Sequence, residues 1–285
     1  MTVRRRGYVS GQFYPDSPED CRREIDMYAK APAVEFDGIP VAGVVPHAGW
    51  VFSGPTAGKV FAIFRERANP KTFVLFGAAH RFMGGRPVVM DNGVWDTPLG
   101  DIEIDSALAT ELINGIPDLE AGAAQHNGEH SIEVQVPFIK HLFPEAKIVP
   151  VLVPPNEIAA EVGEAAGQIL SAHDDVVSVA SSDLTHYGFE YGFAPKGVGQ
   201  EALDWARDVN DRRLIDLALG MDAEAIVAEA HTHHSACGAG AIAAATAAAR
   251  AQGRKKGVLL EYTTSHDVMP RGRPSMFVGY AGIIF

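Results

Sequence analysis

Six short apolar runs punctuate the chain: Val41–Val45, Thr72–Phe76, Ile148–Val153, Val176–Ala180, Val258–Tyr262 and Met276–Phe285. They are rich in Val, Ile and Phe and bounded by Pro, Gly or polar clusters, which predicts strands, several of them buried on both faces. Helical patterns fill the intervals at Pro18–Ala31, Ala57–Arg67, Ser106–Asn114, Ile132–Phe143, Glu157–His173, Gln200–Leu219 and Ala239–Gln252. The alternation predicts an α/β fold, with a mixed or largely parallel central sheet flanked by helices. Ala239–Gln252 is dominated by alanine, which favours a buried structural helix in close contact with its neighbours. With no fixed-period repeat and no long linker, residues 1–285 are expected to form a single domain.

The ends of the strands carry the chemistry. Val41–Val45 runs into Pro46-His47, Thr72–Phe76 into Gly77-Ala78-Ala79-His80, and Val176–Ala180 into Ser181-Ser182-Asp183-Leu184-Thr185-His186. In open α/β sheets, ligands gather at the carboxyl ends of strands, so these three histidines can converge across long sequence gaps. Neutral imidazole is the commonest metal ligand, and two histidines with one anionic ligand suit a non-haem Fe(II) or catalytic Zn site. Cys237 can supply the anion, because it directly precedes the alanine-rich helix and a helix N-terminus favours thiolate. His231, His233 and His234 lie nearby and are ranked below it as ligands. Cys21 has no histidine near it and is assigned no role.

A second polar cluster spans Gln125 to Gln135 and contains Glu129, His130 and Glu133. It lacks the two histidines one helical turn apart that a zinc-protease motif needs, because position 134 is Val134. Glu129 and His130, at the mouth of a predicted helix, are read as substrate contacts or as supports for metal ligands. No phosphate-binding loop, dinucleotide fingerprint or nucleophile elbow is present.

Charge and composition narrow the partners. There are 24 Lys and Arg against 36 Asp and Glu, a net charge of -12, which argues against a nucleic-acid surface. The run Arg4–Arg6 is too short to change this, and the polar segment that follows it is unlike a signal peptide. No stretch approaches the ~18 apolar residues of a membrane span. Two cysteines and no secretion signal lead to the expectation of a reduced, cytoplasmic protein.

In order along the chain stand Gly11-Gln12-Phe13-Tyr14-Pro15, Pro46-His47-Ala48-Gly49-Trp50, Gly77-Ala78-Ala79-His80, Trp95-Asp96-Thr97-Pro98-Leu99-Gly100, Glu129-His130-Ser131-Ile132-Glu133, Ser182-Asp183-Leu184-Thr185-His186-Tyr187 and Cys237-Gly238. This ordered set resembles the Memo family, whose bacterial and archaeal members are called AmmeMemoRadiSam system protein B. The resemblance spans roughly residues 7–285. It implies a fold similar to the catalytic subunit of class III extradiol dioxygenases, which open catechol rings with non-haem Fe(II) and O2. Carried over by motif, His47, His80 and Cys237 match the metal triad and His186 matches the acid/base histidine, with Asp183 placed to orient it. Gln12-Phe13, Trp50, Phe52 and Thr185 depart from the commonest family residues. The resemblance also covers redox-active metal proteins and binders of phosphorylated peptides.

The leading expectation is therefore a metal-dependent oxidoreductase. Fe(II) is the first choice of metal, with Cu or Zn as alternatives that a thiolate ligand admits. The substrate is expected to be a small, aromatic molecule reacting with O2, lined by Trp50, Glu129, His130 and Tyr187. One alternative is a non-catalytic protein that holds a peptide or a metal in the same pocket, and another is a cysteine nucleophile at Cys237. A homodimer is the default assembly.

Overall fold

The computed structural model describes residues 3–81 and 84–285. The first half contains β1 (Arg4–Arg5), α1 (Pro18–Tyr28), β2 (Ala42–Val45), α2 (Trp50–Arg67), β3 (Thr72–Gly77), β4 (Val88–Val89), β5 (Val94–Trp95), β6 (Ile102–Glu103), α3 (Ser106–Gly115) and β7 (Glu120–Ala121). Next come α4 (Val136–Leu142), β8 (Lys147–Leu152), α5 (Ala159–Leu170), β9 (Val176–Ser181) and β10 (His186–Gly188). The chain continues with α6 (Gln200–Trp205), α7 (Asp211–Leu219), α8 (Ala223–His233), α9 (Ala239–Ala251), β11 (Val258–Thr264), α10 (Ser265–Val268) and β12 (Met276–Ile284).

Four strands, β2, β9, β3 and β8, lie side by side in that order and run parallel. On one flank β12 pairs antiparallel with β2, and both β10 and β11 pair antiparallel with β12. On the other flank β4 pairs antiparallel with β8 and β7 pairs parallel with β4. The fold is thus α/β with a mixed central sheet, as the alternating pattern predicts. A separate small sheet joins β1, β5 and β6.

Both faces of the main sheet are covered. Along β3, Val74 and Phe76 enter one core with α3, α5 and α9, while Phe73 and Leu75 enter the other with α1, α2 and α4. This alternation follows from the period of two in a strand, and it explains why the run reads as uniformly apolar. Helix α9 is buried from Ala239 to Ala249 and packs across β2, β9 and β3. Its partner α5 approaches so closely that a Cβ on Gly163 would sit 2.1 Å from the Ala244 carbonyl oxygen. Alanine on one helix and glycine on the other make that distance possible.

Three local differences from the sequence expectations have physical reasons. Helix α2 starts at Trp50 and runs through Pro55, well before Ala57, because Trp50, Ser53, Gly54 and Thr56 are buried by packing that overrides the proline. Helix α8 was not expected; it buries only Ala223, Ile226 and Ala230, a thin apolar stripe. The stretch Gln200–Leu219 passes through a π-helical turn at Ala206–Asn210. Among the described residues no helix is long and apolar enough to cross a membrane, and Cys21 and Cys237 are both free thiols.

Candidate metal centre

Sheet order brings the strand-end residues together. Because β9 lies between β2 and β3, Val45, Ser181 and Gly77 form one row across the sheet. His47 follows the first strand of this row by two residues, and His80 follows the last by three. Beyond the row passes the segment Glu129–Ser131. An added Cβ at Gly77 would lie 2.5 Å from Ile132 Cγ1 and 2.9 Å from Ser131 Oγ, so glycine is what admits this segment against the strand end. His130 is thereby carried in beside the other two rings.

Ring nitrogens of His47, His80 and His130 all lie within 4.8 Å of one another, an arrangement able to hold a metal ion. The rings of His80 and His130 stack at 4.9 Å, and each meets His47 edge-on at 5.1 and 5.2 Å. Cys237 Sγ stands 3.1 Å from His47 Nε2 and is near enough to His80 to raise its basicity. The structure therefore brings His47, His80 and Cys237 together and adds His130, which the sequence suggested only as a substrate contact.

Outer hydrogen bonds set the ring orientations. Ser181 Oγ donates to the Ser131 carbonyl at 2.6 Å and accepts from Gln135 Nε2 at 2.9 Å. Its remaining contact, His47 Nδ1 at 3.3 Å, must then be a donor, which leaves the His47 Nε2 lone pair facing into the cluster. His47 is 1% exposed, and burial, aided by the nearby His80, drives it well below its ordinary value. Glu129, also buried, accepts from His80 Nδ1 at 3.0 Å, from the His80 backbone at 2.9 Å and from the Ser131 backbone at 2.8 Å. His80 Nε2 is the atom left for the cluster.

These contacts also set the charge. Burial opposes charge on His80, but the nearness of Cys237 and the hydrogen bond to Glu129 outweigh it and raise the ring to about 10. Burial likewise opposes charge on Glu129, yet the His80 contact and the Ser131 N–H hold it at about 2. Burial, reinforced by His80, pushes His130 down to about 4. Free of metal, the cluster holds one imidazolium balanced by one carboxylate, and a bound cation competes with that proton.

The other predicted site residues take different places around the cluster. His186, the first residue of β10, donates from Nδ1 to the Leu184 carbonyl at 3.1 Å, leaving Nε2 as an acceptor, and its ring faces Tyr191 at 5.1 Å. Desolvation lowers its basicity, and His186 stays close enough to the cluster for His80 to lower it further. Asp183 does not orient it: the carboxylate accepts from the backbone of His47 at 2.7 Å and of Ala48 at 3.2 Å and so fixes the loop after β2. Full burial raises Asp183 to about 7 against these two bonds.

Trp50 is core rather than pocket lining, packed on Phe138 at 4.5 Å with Nε1 donating to the Val134 carbonyl. Tyr187 is fully buried, stacked on Phe277 at 4.7 Å with its hydroxyl on the Gly197 carbonyl. Each aromatic ring has a packed aromatic partner in the core, which sequence position alone does not reveal. His231 and His233 occupy the last turn of α8 and His234 is its left-handed cap, outside the three-histidine group. Ser181 and Gln135 were visible in the sequence, but nothing there marked Ser181 as a partner of His47, or Gln135 as a donor to Ser181 and the Pro46 carbonyl.

A mixed α/β protein with imidazoles gathered at the carboxyl edge of its parallel strands defines the class: a fold with a strand-end histidine site suited to a metal ion. The chain belongs to the Memo-like protein family, whose pattern matches residues 5–284. It is 36% identical over 296 residues to a MEMO1 family protein of Methanopyrus kandleri, covering 99% of each chain. It is 38% identical over 285 residues to one of Methanococcoides burtonii, covering 98% of this chain and 99% of the relative. Among solved structures, an uncharacterised Escherichia coli protein matches with a TM-score of 0.52 at 15% identity, over 85% of this chain and 99% of that one. This last likeness concerns the fold.

Proposed function

We propose that the protein is a metal-dependent oxidoreductase that acts with O2 on a small aromatic substrate, resembling the class III extradiol dioxygenases. The observation that carries this reading is the group of three imidazoles within 4.8 Å, with the Nε2 atoms of His47 and His80 freed by Ser181 and Glu129. Imidazole nitrogens beside a thiol fit a borderline transition metal, with Fe(II) the first choice and Zn or Cu as alternatives. His47, His80 and either Cys237 or His130 would hold it, and it would supply Lewis-acid and redox chemistry. The protein's own residues then divide the remaining work. Ser181 and Glu129 hold two rings in place, and His186, an acceptor at Nε2, takes a proton from a substrate hydroxyl.

Metal content measured by mass spectrometry on anaerobically purified protein tests this, with His47→Ala, His80→Ala, His130→Ala and Cys237→Ala compared with the wild type. Near-stoichiometric iron that falls in the His47 and His80 variants, with O2 uptake on a catechol panel, is the expected result. The His130 and Cys237 variants then identify the third ligand. Absence of metal after Fe(II), Cu(I) and Zn reconstitution sinks the reading.

The 3.1 Å contact of Cys237 Sγ with His47 Nε2 favours a second reading, a thiol nucleophile with His47 as its base. A substrate-derived mass increase on Cys237 that needs no metal would identify it.

A further inference from the structure

The arginine run at the N-terminus splits three ways. Arg5 points inward, 2% exposed, pairs with Glu133 and donates to the backbone carbonyls of His126 and Glu129. Arg4, on the opposite side of the strand, is held by Asp96 and Asp101. Arg6 is exposed and, among the described residues, forms no ion pair; the same is true of Arg81, immediately after His80.

Arg6 and Arg81 line one open cavity of about 350 Å³ with Arg4, Tyr8, Asn127 and Gly128. Among the described residues no carboxylate lines it, although the chain carries a net charge of -12. The Arg81 guanidinium lies 5.0 Å above the Tyr8 ring and donates to the Tyr8 hydroxyl at 3.4 Å, which holds it in place. Opposite it, Gly128 has φ +76°, and an added Cβ there would crowd Arg81 Nη1 at 3.0 Å. Two walls of the cavity continue into the histidine cluster. Arg81 is the residue after His80, Gly128 precedes His130 by two, and the two rings stack on each other.

We infer that this cavity is an anion subsite for the ligand of the histidine cluster: a small molecule bearing a carboxylate or phosphate, held by Arg6 and Arg81 while its other end reaches the imidazoles. Guanidinium groups match both oxyanions in shape and charge. Only the far end of the ligand rests on the metal reading above; the anion contact does not.

Calorimetric titration of the metal-free full chain with benzoate and with phenyl phosphate tests the subsite directly. Binding that weakens with salt, falls about tenfold or more in Arg6→Gln/Arg81→Gln and persists in His80→Ala is the expected result. The tighter of the two probes names the oxyanion. No binding of either probe, or binding indifferent to both arginines, overturns the subsite. Both arginines are exposed, so the variants are expected to melt like the wild type.

A matched pair, 3,4-dihydroxybenzoate and 4-methylcatechol, then tests the link on iron-loaded protein. An advantage of roughly tenfold for the carboxylate that vanishes in the double variant supports it, and equal affinities overturn it. If neither catechol binds while benzoate or phenyl phosphate binds through the arginines, the subsite stands and the metal reading falls.

Discussion

Helix α9 meets two different environments along its length. Its body, Ala239–Ala249, is buried among apolar neighbours and touches α5 at backbone contact distance. Just before its N-terminus, Cys237 enters a cluster of imidazoles in which His47 and His80 are oriented by hydrogen bonds to Ser181 and Glu129. The body has shape without chemistry, so any added volume must displace backbone. The N-terminal end has chemistry fixed by hydrogen bonds, so small atom changes there alter charge and orientation more than packing.

Gly163→Val strikes the body hardest. Its Cβ would collide with the Ala244 carbonyl, and a loss of about 3 kcal/mol or more in urea unfolding is expected. A loss below about 1 kcal/mol would show that α5 can slide away from α9. At the other end, Glu129→Gln removes a carboxylate oxygen from a site with three donors, and Ser181→Ala strips the acceptor from His47 Nδ1. Each variant is expected to lower metal affinity about 10- to 100-fold with modest change in stability. Unchanged affinity in both would remove the case for orientation by outer hydrogen bonds.

The contrast also has a pH signature. His126, four residues before His130, is fully buried; burial, aided by Arg5, lowers it from 6.5 to about 3. Between those values the unfolded chain binds more protons than the folded one, so stability rises with pH. His126's contribution is complete above about pH 6.5 and declines as the pH falls toward 3. Metal-free protein should lose roughly 1 kcal/mol from this residue by pH 5.5 relative to pH 8. Comparing denaturation midpoints of wild type and His126→Phe checks it, and parallel pH curves would refute it.

The smallest effect belongs to the body. Thr246 is buried there with a hydroxyl that has no partner, so Thr246→Val should be neutral or stabilising by less than about 1 kcal/mol. Destabilisation beyond that would reveal a hydrogen bond to this hydroxyl.

Much of the scaffold is legible locally. The apolar runs that become β2, β3, β8, β9 and β12 announce themselves by composition, since strands buried on both faces need uninterrupted apolar side chains, and the half-buried β11 shows the same β-rich composition. The two-residue strands and β10 do not, because so short a run carries no pattern. Position at a strand end is also a local property, which is why His47, His80 and His186 stood out before any fold was known. The alanine-rich composition of α9 likewise pointed to close burial.

What sequence could not supply is who sits beside whom, because pairing between distant segments depends on the whole packed sheet. Placing β9 between β2 and β3 is what sets Ser181 under His47, and the approach of the Glu129–Ser131 segment to Gly77 is what adds His130. The same non-local packing turned Trp50 and Tyr187 into core and sent Asp183 to the backbone of His47. An amino acid's type and its place along a strand are written in its neighbours in sequence. Its hydrogen-bond partner and its exposure belong to neighbours in space, and those exist only once the long-range contacts have closed.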